Sequence, residues 1–374
     1  MSAPPVEVAP DEHALDARAV RAAFDANEAL TVGLEEEVLL VDPATYEPVP
    51  AAERVVAAAG GDERVKLELP ACQVELLTRP HRHVADAVAE LAGARRALLD
   101  AAAGLGVPAA AAVHPTAPPV SAVTASERGR ALHEEYREVA GRQLVGALQV
   151  HVAVGTADAT LAVYNALRGH LPELAALAAA APFHEGRDTG LASVRPVISG
   201  QLPRQGVPPA IASWDAFVAD LAWGRTSGTV CEPRRWWWEL RPHVVHGTLE
   251  VRVPDVQPTV AATTAVAGVV HALVCHLAER HHEGRDLGCP ATWRIAENRW
   301  AALRDGVHGR LADLETGESV PTERRLHRLL DEVEAHAPGG LDDARRLVAR
   351  NTADELRAAG LGGATAWLAS VFAP

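Results

Sequence analysis

Thr31-Val32-Gly33-Leu34-Glu35-Glu36-Glu37-Val38-Leu39-Leu40-Val41-Asp42-Pro43 is the stretch from which the rest of the chain is read. Three consecutive carboxylates sit inside an apolar run. As a strand over residues 31–41, it places Glu35 and Glu37 on one face and Glu36 on the other. Asp42-Pro43 ends the strand in a turn. A packed sheet does not bury two like charges side by side without compensation. A divalent cation supplies it, because hard cations take carboxylate oxygens. The plain alternative is an edge strand with its charges in water.

The chain has 374 residues, enough for a large domain or two ordinary ones. At 48% hydrophobic and 22% charged it reads as a globular protein able to form a core. The formal charge of -14 argues against a nucleic-acid partner, which favours a basic face. Cys72, Cys231, Cys275 and Cys289 form no CxxC pair, and a chain this long needs no staples, so a reducing cytoplasm is expected. The start lacks the order of a signal peptide. No uncharged apolar run is long enough to suggest a membrane span, so no membrane partner is expected.

Outward from the acidic strand, residues 1–12 read as a loose polar arm and 13–28 as a helix. Residues 50–59 suit a short helix. Residues 65–78 give two extended pieces broken at Pro70, carrying Glu68 and Glu75 as a second acidic cluster. Residues 83–104 are a strong helix, with Val84, Val88, Leu91, Ala92, Leu98 and Leu99 as its stripe. Arg95 and Arg96 interrupt that stripe, and their heads are expected in water. A short strand is expected over 107–113 and a helix over 126–140.

Leu144 to Gly155 reads as a strand, with Gln149, His151 and Ala153 on one face. Helices are expected over 158–181, 211–223, 259–281 and 291–304, with residues 183–190 a polar loop. Trp236-Trp237-Trp238 precedes Glu239-Leu240-Arg241-Pro242, and a strand over 247–255 puts Glu250 and Arg252 on one face with Thr248. The tail from Pro321 is mostly helical. No internal repeat or linker fixes a boundary, so a single catalytic domain over 1–374 is expected, with a mostly helical portion from about 321.

Several strands thus carry polar groups that could share a face: Glu35 and Glu37, Glu68 or Glu75, His151, and Glu250 with Arg252. Carboxylates with one imidazole suit Mg²⁺ or Mn²⁺ better than structural zinc. Arg195, Arg204, Arg252 and Arg304 are candidates to fork onto phosphate or carboxylate groups. The plain alternative for each is an ordinary surface arginine. No P-loop and no GxGxxG before a helix appears. Nothing marks a Ser-His-Asp or Cys-His nucleophile.

With these residues in place, the chain resembles the carboxylate–amine ligases of the glutamate–cysteine ligase type 2 family, which resemble glutamine synthetase in catalytic fold. The likeness runs through Thr31–Pro43, Gln73-Val74-Glu75, His151–Gly155, Pro182–Gly190, Gly206–Pro209 and Thr248–Asp255. It implies an α+β, glutamine-synthetase-like fold: a curved antiparallel β-sheet with surrounding helices. It implies ATP with Mg²⁺ (or Mn²⁺), and small-molecule carboxylate and amine substrates joined through an acyl phosphate. By match to the motifs, Glu35, Glu37, Glu75, His151 and Glu250 fall where metal ligands are expected, with Glu68 a further candidate. Arg252 falls beside the transferring phosphoryl group, and Arg195 toward substrate or phosphate. A homo-oligomer is an expectation of the resemblance alone. Two departures stand out: Ala153 replaces the second histidine of the usual His-Val-His-Val-Gly, and His184 replaces the usual Trp after Pro-Phe. They keep two alternatives open: a ligase of this fold for a different acid, amine or guanidino substrate, and a weakly active nucleotide-binding regulator.

Overall fold

The computed structural model describes residues 16–230 and 232–374. The polar arm expected over residues 1–12, the first residues of the helix expected over 13–28, and Cys231 lie outside them.

The acidic stretch forms β1 (Val32–Val41) at the centre of a seven-stranded antiparallel sheet. The other strands are β2 (Val65–Leu67), β3 (Gln73–Leu77), β4 (Val107–Ala109), β5 (Leu148–Val152), β6 (Leu240–His243) and β7 (Thr248–Val251). The order is β2-β3-β1-β5-β7-β6, with β4 paired to the end of β1 at Leu39 to Val41. The sheet is open, and β6 takes a proline, Pro242, at its edge.

Period-two alternation divides the sheet into a core face and a polar face. Val32, Leu34, Val38 and Leu40 of β1 join Val74, Leu76, Leu148, Val150, Leu249 and Val251 in the main core. Two helices close that face: α1 (Val84–Ala102) and α2 (Val260–His282). α2 is long and apolar enough to cross a membrane, but most of it is buried inside the protein as a core helix. Its N-terminus is capped by Thr259, whose hydroxyl accepts from the Ala262 N–H.

Glu36 points into this apolar layer. Arg95 of α1 reaches it from the facing helix, and both side chains are fully buried. Arg95 Nε and Nη2 fork onto the Glu36 carboxylate at 2.9 and 2.7 Å. Thr263 adds a hydroxyl to the same carboxylate at 2.6 Å. The remaining guanidinium donors reach the carbonyls of Gln257, Pro258 and Phe372, and the Phe372 ring lies 4.7 Å below. Thus Arg95 does not send its head to water as its sequence position suggests. A carboxylate on the neighbouring strand and three carbonyls take up its charge, so desolvation is compensated. Arg96 is exposed, as expected.

Most other elements fall within a few residues of expectation. The strand expected over 144–155 is shorter, and the polar loop over 183–190 contains a small hairpin pairing Phe183 with Asp188. The tail is helical over Thr322–Val333, Asp342–Ala349, Thr352–Ala359 and Ala364–Ser370.

Candidate active site

The polar face follows from register. Glu37 stands opposite Glu75 across β1 and β3. Glu35 stands opposite Gln149, and Gly33 opposite His151, across β1 and β5. His151 then stands opposite Glu250 on β7, and Glu250 opposite Arg241 on β6. A row of ionisable side chains therefore crosses five neighbouring strands, and Glu68, just past the end of β2, joins it from a loop.

These side chains form two groups. Glu35, His151 and Glu250 bring ligand atoms within 4.8 Å of one another, and so do Glu37, Glu68 and Glu75. Gln149 links them: its Nε2 donates to Glu37 Oε1 at 2.9 Å, and its Oε1 accepts from Arg252. The same Arg252 nitrogen pairs with Glu250.

The electrostatics differ between the groups. Burial pushes the Glu37 carboxyl up to about 7, and Glu68 beside it adds to the rise. Burial also raises Glu75 well above the usual carboxylate range, with Glu35, Glu68 and Glu37 contributing. Glu37 is buried and Glu75 partly so, with too little positive charge around them. In the first group, burial raises Glu250, but Arg241 and Arg252 outweigh it and hold the carboxyl well below its usual range. Burial likewise works against Glu35, and the His151 ring reverses it. His151 Nδ1 lies 3.0 Å from Thr248 Oγ1. Its Nε2 is buried and faces Glu35 Oε1 at 3.1 Å.

The donor chemistry fits divalent cations. One group offers three carboxylates, and the other two carboxylates and an imidazole whose inward Nε2 faces Glu35. The fixed Nδ1 contact to Thr248 leaves Nε2 to ligate. Sequence reading reached Glu35, Glu37, Glu75, His151 and Glu250 as ligand candidates, with Glu68 as a further one. The structure brings all six together.

The arginines divide. Arg252 lies between the two groups and lines the chamber beside them. Arg195 lines the adjoining space near Glu37, but its Nε is committed to Asp255 at 2.6 Å and its Nη2 to the Val253 carbonyl at 2.6 Å. Arg204 stacks over Trp237 at 5.5 Å and donates to Tyr136 Oη, so it braces the wall rather than lining the chamber. Arg304, a candidate for phosphate, is half exposed and pairs with its neighbour Asp305. It is not among the residues lining the spaces at the sheet. Sequence reading missed Arg241, which forks onto Glu250, and Arg128, which lines both the chamber and the adjoining space.

Three spaces meet at the sheet. A chamber of about 1500 Å³ is lined by Glu35, Glu68, Glu75, Arg128, Arg234 and Arg252. A narrower one of about 870 Å³ is lined by Glu37, Gln73, Tyr136, Arg195 and Trp237. A cleft of about 1190 Å³ also borders Glu35 and His151, where Asn27, Gly33, Ala153 and Thr248 line it. His243 and His246 stack at 4.2 Å beside His151. Burial pulls His243 down to about 3, so it is neutral near pH 7.

Comparison with known proteins agrees with this architecture. The family model described as Glutamate-cysteine ligase family 2 (GCS2) matches residues 31–361. A Rubrobacter xylanophilus protein named "Putative glutamate--cysteine ligase 2-3" is 34% identical over 312 residues, covering 82% of this chain and 84% of its own length. A Thermobifida fusca relative of similar name is 32% identical over 325 residues, covering 83% and 80%. Among solved structures, the fold is shared with glutamate–cysteine ligase from Francisella tularensis in complex with AMP. The TM-score is 0.67 at 16% identity, covering 91% of this chain and 87% of that one. It is also shared with a bifunctional glutathione synthetase from Pasteurella multocida, at TM-score 0.63 and 17% identity, covering 95% of this chain and 53% of the other. An α+β chain with this family match over most of its length is a ligase, and it belongs to glutamate–cysteine ligase family 2.

Proposed function

We propose that the chain is an ATP-dependent carboxylate–amine ligase that forms an amide through an acyl phosphate. The observation that carries this reading is the pair of ligand groups on one sheet face, Glu35–His151–Glu250 and Glu37–Glu68–Glu75, with Arg252 between them. The Francisella ligase of the same fold was solved with AMP, which supports a nucleotide substrate.

In this reading Glu35, His151 and Glu250 hold one Mg²⁺ or Mn²⁺, and Glu37, Glu68 and Glu75 hold another. Bound there, the cations neutralise phosphate oxygens and orient the substrate carboxylate. An oxygen of the acid substrate attacks the γ-phosphorus of ATP, and ADP leaves. The amine nitrogen then attacks the acyl carbon, and phosphate and a proton depart. Arg252 donates to the phosphoryl oxygens while the buried Glu250 fixes its direction. Gln149 keeps Arg252 and Glu37 in one frame, so both groups act on a single pair of reactants. The cleft and the chamber both border Glu35, which suits a nucleotide and an acid meeting at this line. Cytoplasmic action accords with an ATP-dependent reaction and with free thiols at Cys72 and Cys275.

Glutamate and cysteine are the reference pair by family name. The test is a matrix of acids and amines incubated with ATP and Mg²⁺, with amide read by mass beside ADP release. Amide formed in step with ADP is the expected result. ADP without amide from any pair sinks the ligase reading in favour of hydrolysis.

A further inference from the structure

The tryptophan run forms a wall between two spaces. Its extended backbone sends alternate side chains to opposite sides. Trp237 lines the catalytic chamber with Glu68, Arg128 and Arg252. Trp236 and Trp238 line a separate, small cavity behind it, with Tyr164, Phe217 and Leu221.

The indole Nε1 atoms of Trp236 and Trp238 are both buried and, among the described residues, have no hydrogen-bond partner. Buried indoles normally find an acceptor. Nearby aromatic groups do: Tyr164 Oη donates to the Pro209 carbonyl at 2.8 Å, and Trp214 Nε1 to the Ala157 carbonyl at 3.1 Å. Two unpaired donors on residues of one apolar cavity call for a ligand that brings acceptors. Asp220 at the exposed edge of the cavity disfavours an anion.

The cavity is also wired to the catalytic face. Arg241 lines both spaces. Its Nη1 donates to the carbonyls of Arg234 and Trp236 at 2.6 and 3.1 Å, while its Nε and Nη2 hold Glu250. The tryptophan segment has no strand partner at residues 236–238. Arg204, which donates to the Arg235 carbonyl at 3.0 Å, and Arg241 tether its backbone.

We propose that this rear cavity is a second binding site, for a planar, mainly apolar, uncharged small molecule carrying a hydrogen-bond acceptor such as a carbonyl oxygen. Its occupancy repositions the Trp236 carbonyl and so, through Arg241, the Glu250 carboxylate. The coupling rests on Glu250 being a metal ligand; the site itself does not.

The test uses the full chain with ¹⁵N-labelled tryptophan and coumarin as probe. Trp236→Phe and Trp238→Phe assign their two indole signals among the eight. Saturable shifts confined to those two are expected, and they vanish in Ala216→Trp, which blocks the cavity edge. If that variant loses the folded spectrum, Ala216→Leu replaces it. No saturable shift in the parent chain, or an equal shift in a folded blocking variant, overturns the site. Coupling is read from Mn²⁺ affinity by water-proton relaxation. Saturating coumarin is expected to change it by about 5-fold or more, the lower end of ordinary coupling between sites. Unchanged affinity overturns the coupling. A parent chain that binds no Mn²⁺ overturns the metal reading and the coupling with it, while the indole signals still decide the site.

Discussion

Glu37 accepts from the Ala147 N–H at 2.8 Å and from Gln149, and these two neutral donors do not offset its burial beside Glu68. Removing its charge keeps the shape and removes a ligand. Glu37→Gln and Glu250→Gln should each lower metal-dependent turnover by about 100-fold or more, comparable with losing one group that stabilises transition-state charge. Turnover within a few-fold of the parent, measured as ADP with an amine acceptor present, would remove both residues from the metal-binding role. His114 makes a separate prediction. It is buried, with Nε2 on the Tyr46 carbonyl at 2.8 Å and Nδ1 accepting from the Ala117 N–H at 2.9 Å. Burial lowers its pKa from the ordinary 6.5. The folded state therefore prefers the neutral ring, and its contribution is present above about 6.5 and lost as pH falls through the lower folded value. Thermal melts should show an acid-side loss of Tm below pH 6.5 that is smaller in His114→Asn.

At the scale of elements, the junction between β1 and α1 depends on one ion pair sealed from water. Arg95→Ala strands the Glu36 charge in the core and should cost about 3–5 kcal/mol in urea unfolding. Replacing both partners, as Glu36→Leu with Arg95→Met, should recover most of that loss. A double variant as unstable as the single one would show that the carbonyl contacts of Arg95, rather than charge pairing, dominate. Strand periodicity made β1, β5 and β7 legible in the sequence, together with the faces of Glu35, Glu37, His151 and Glu250. The β6 strand was not legible, because four residues with a proline carry no period. Arg241 and the two stacked histidines went with it. Arg95 failed for another reason: a helix pattern shows which residues interrupt the apolar stripe, not what waits on the facing strand. The tryptophan run was visible, but its role as a wall needed both spaces in view.

Across the whole molecule, the two acidic groups make the fold a linkage system. A cation that binds only the folded chain stabilises it by RT ln(1 + [L]/Kd), about 2.7 kcal/mol at a hundred times Kd. Raising Mg²⁺ or Mn²⁺ at pH 8 should therefore raise Tm, and the rise should shrink in Glu75→Gln. A Tm indifferent to both cations at pH 8 contradicts two-group binding. The family match over residues 31–361 and the shared fold with the Francisella ligase show how far the sheet was foreseeable as a whole. What the match did not give is the distribution of arginines. Arg195 and Arg204 are largely committed to internal contacts, and Arg304 faces outward.

The run Glu35-Glu36-Glu37 has a consequence for folding fidelity. Sliding β1 by one residue exchanges the sheet's two faces, yet it still presents a carboxylate toward the polar side. Acidity alone is thus nearly blind to such a slip. The apolar neighbours Val32, Leu34 and Val38 oppose it, and so does Arg95, whose buried fork accepts only the carboxylate that arrives between them. The guanidinium on the reverse side of the sheet therefore acts as a proofreader of the front, selecting which two of three identical side chains reach the polar face.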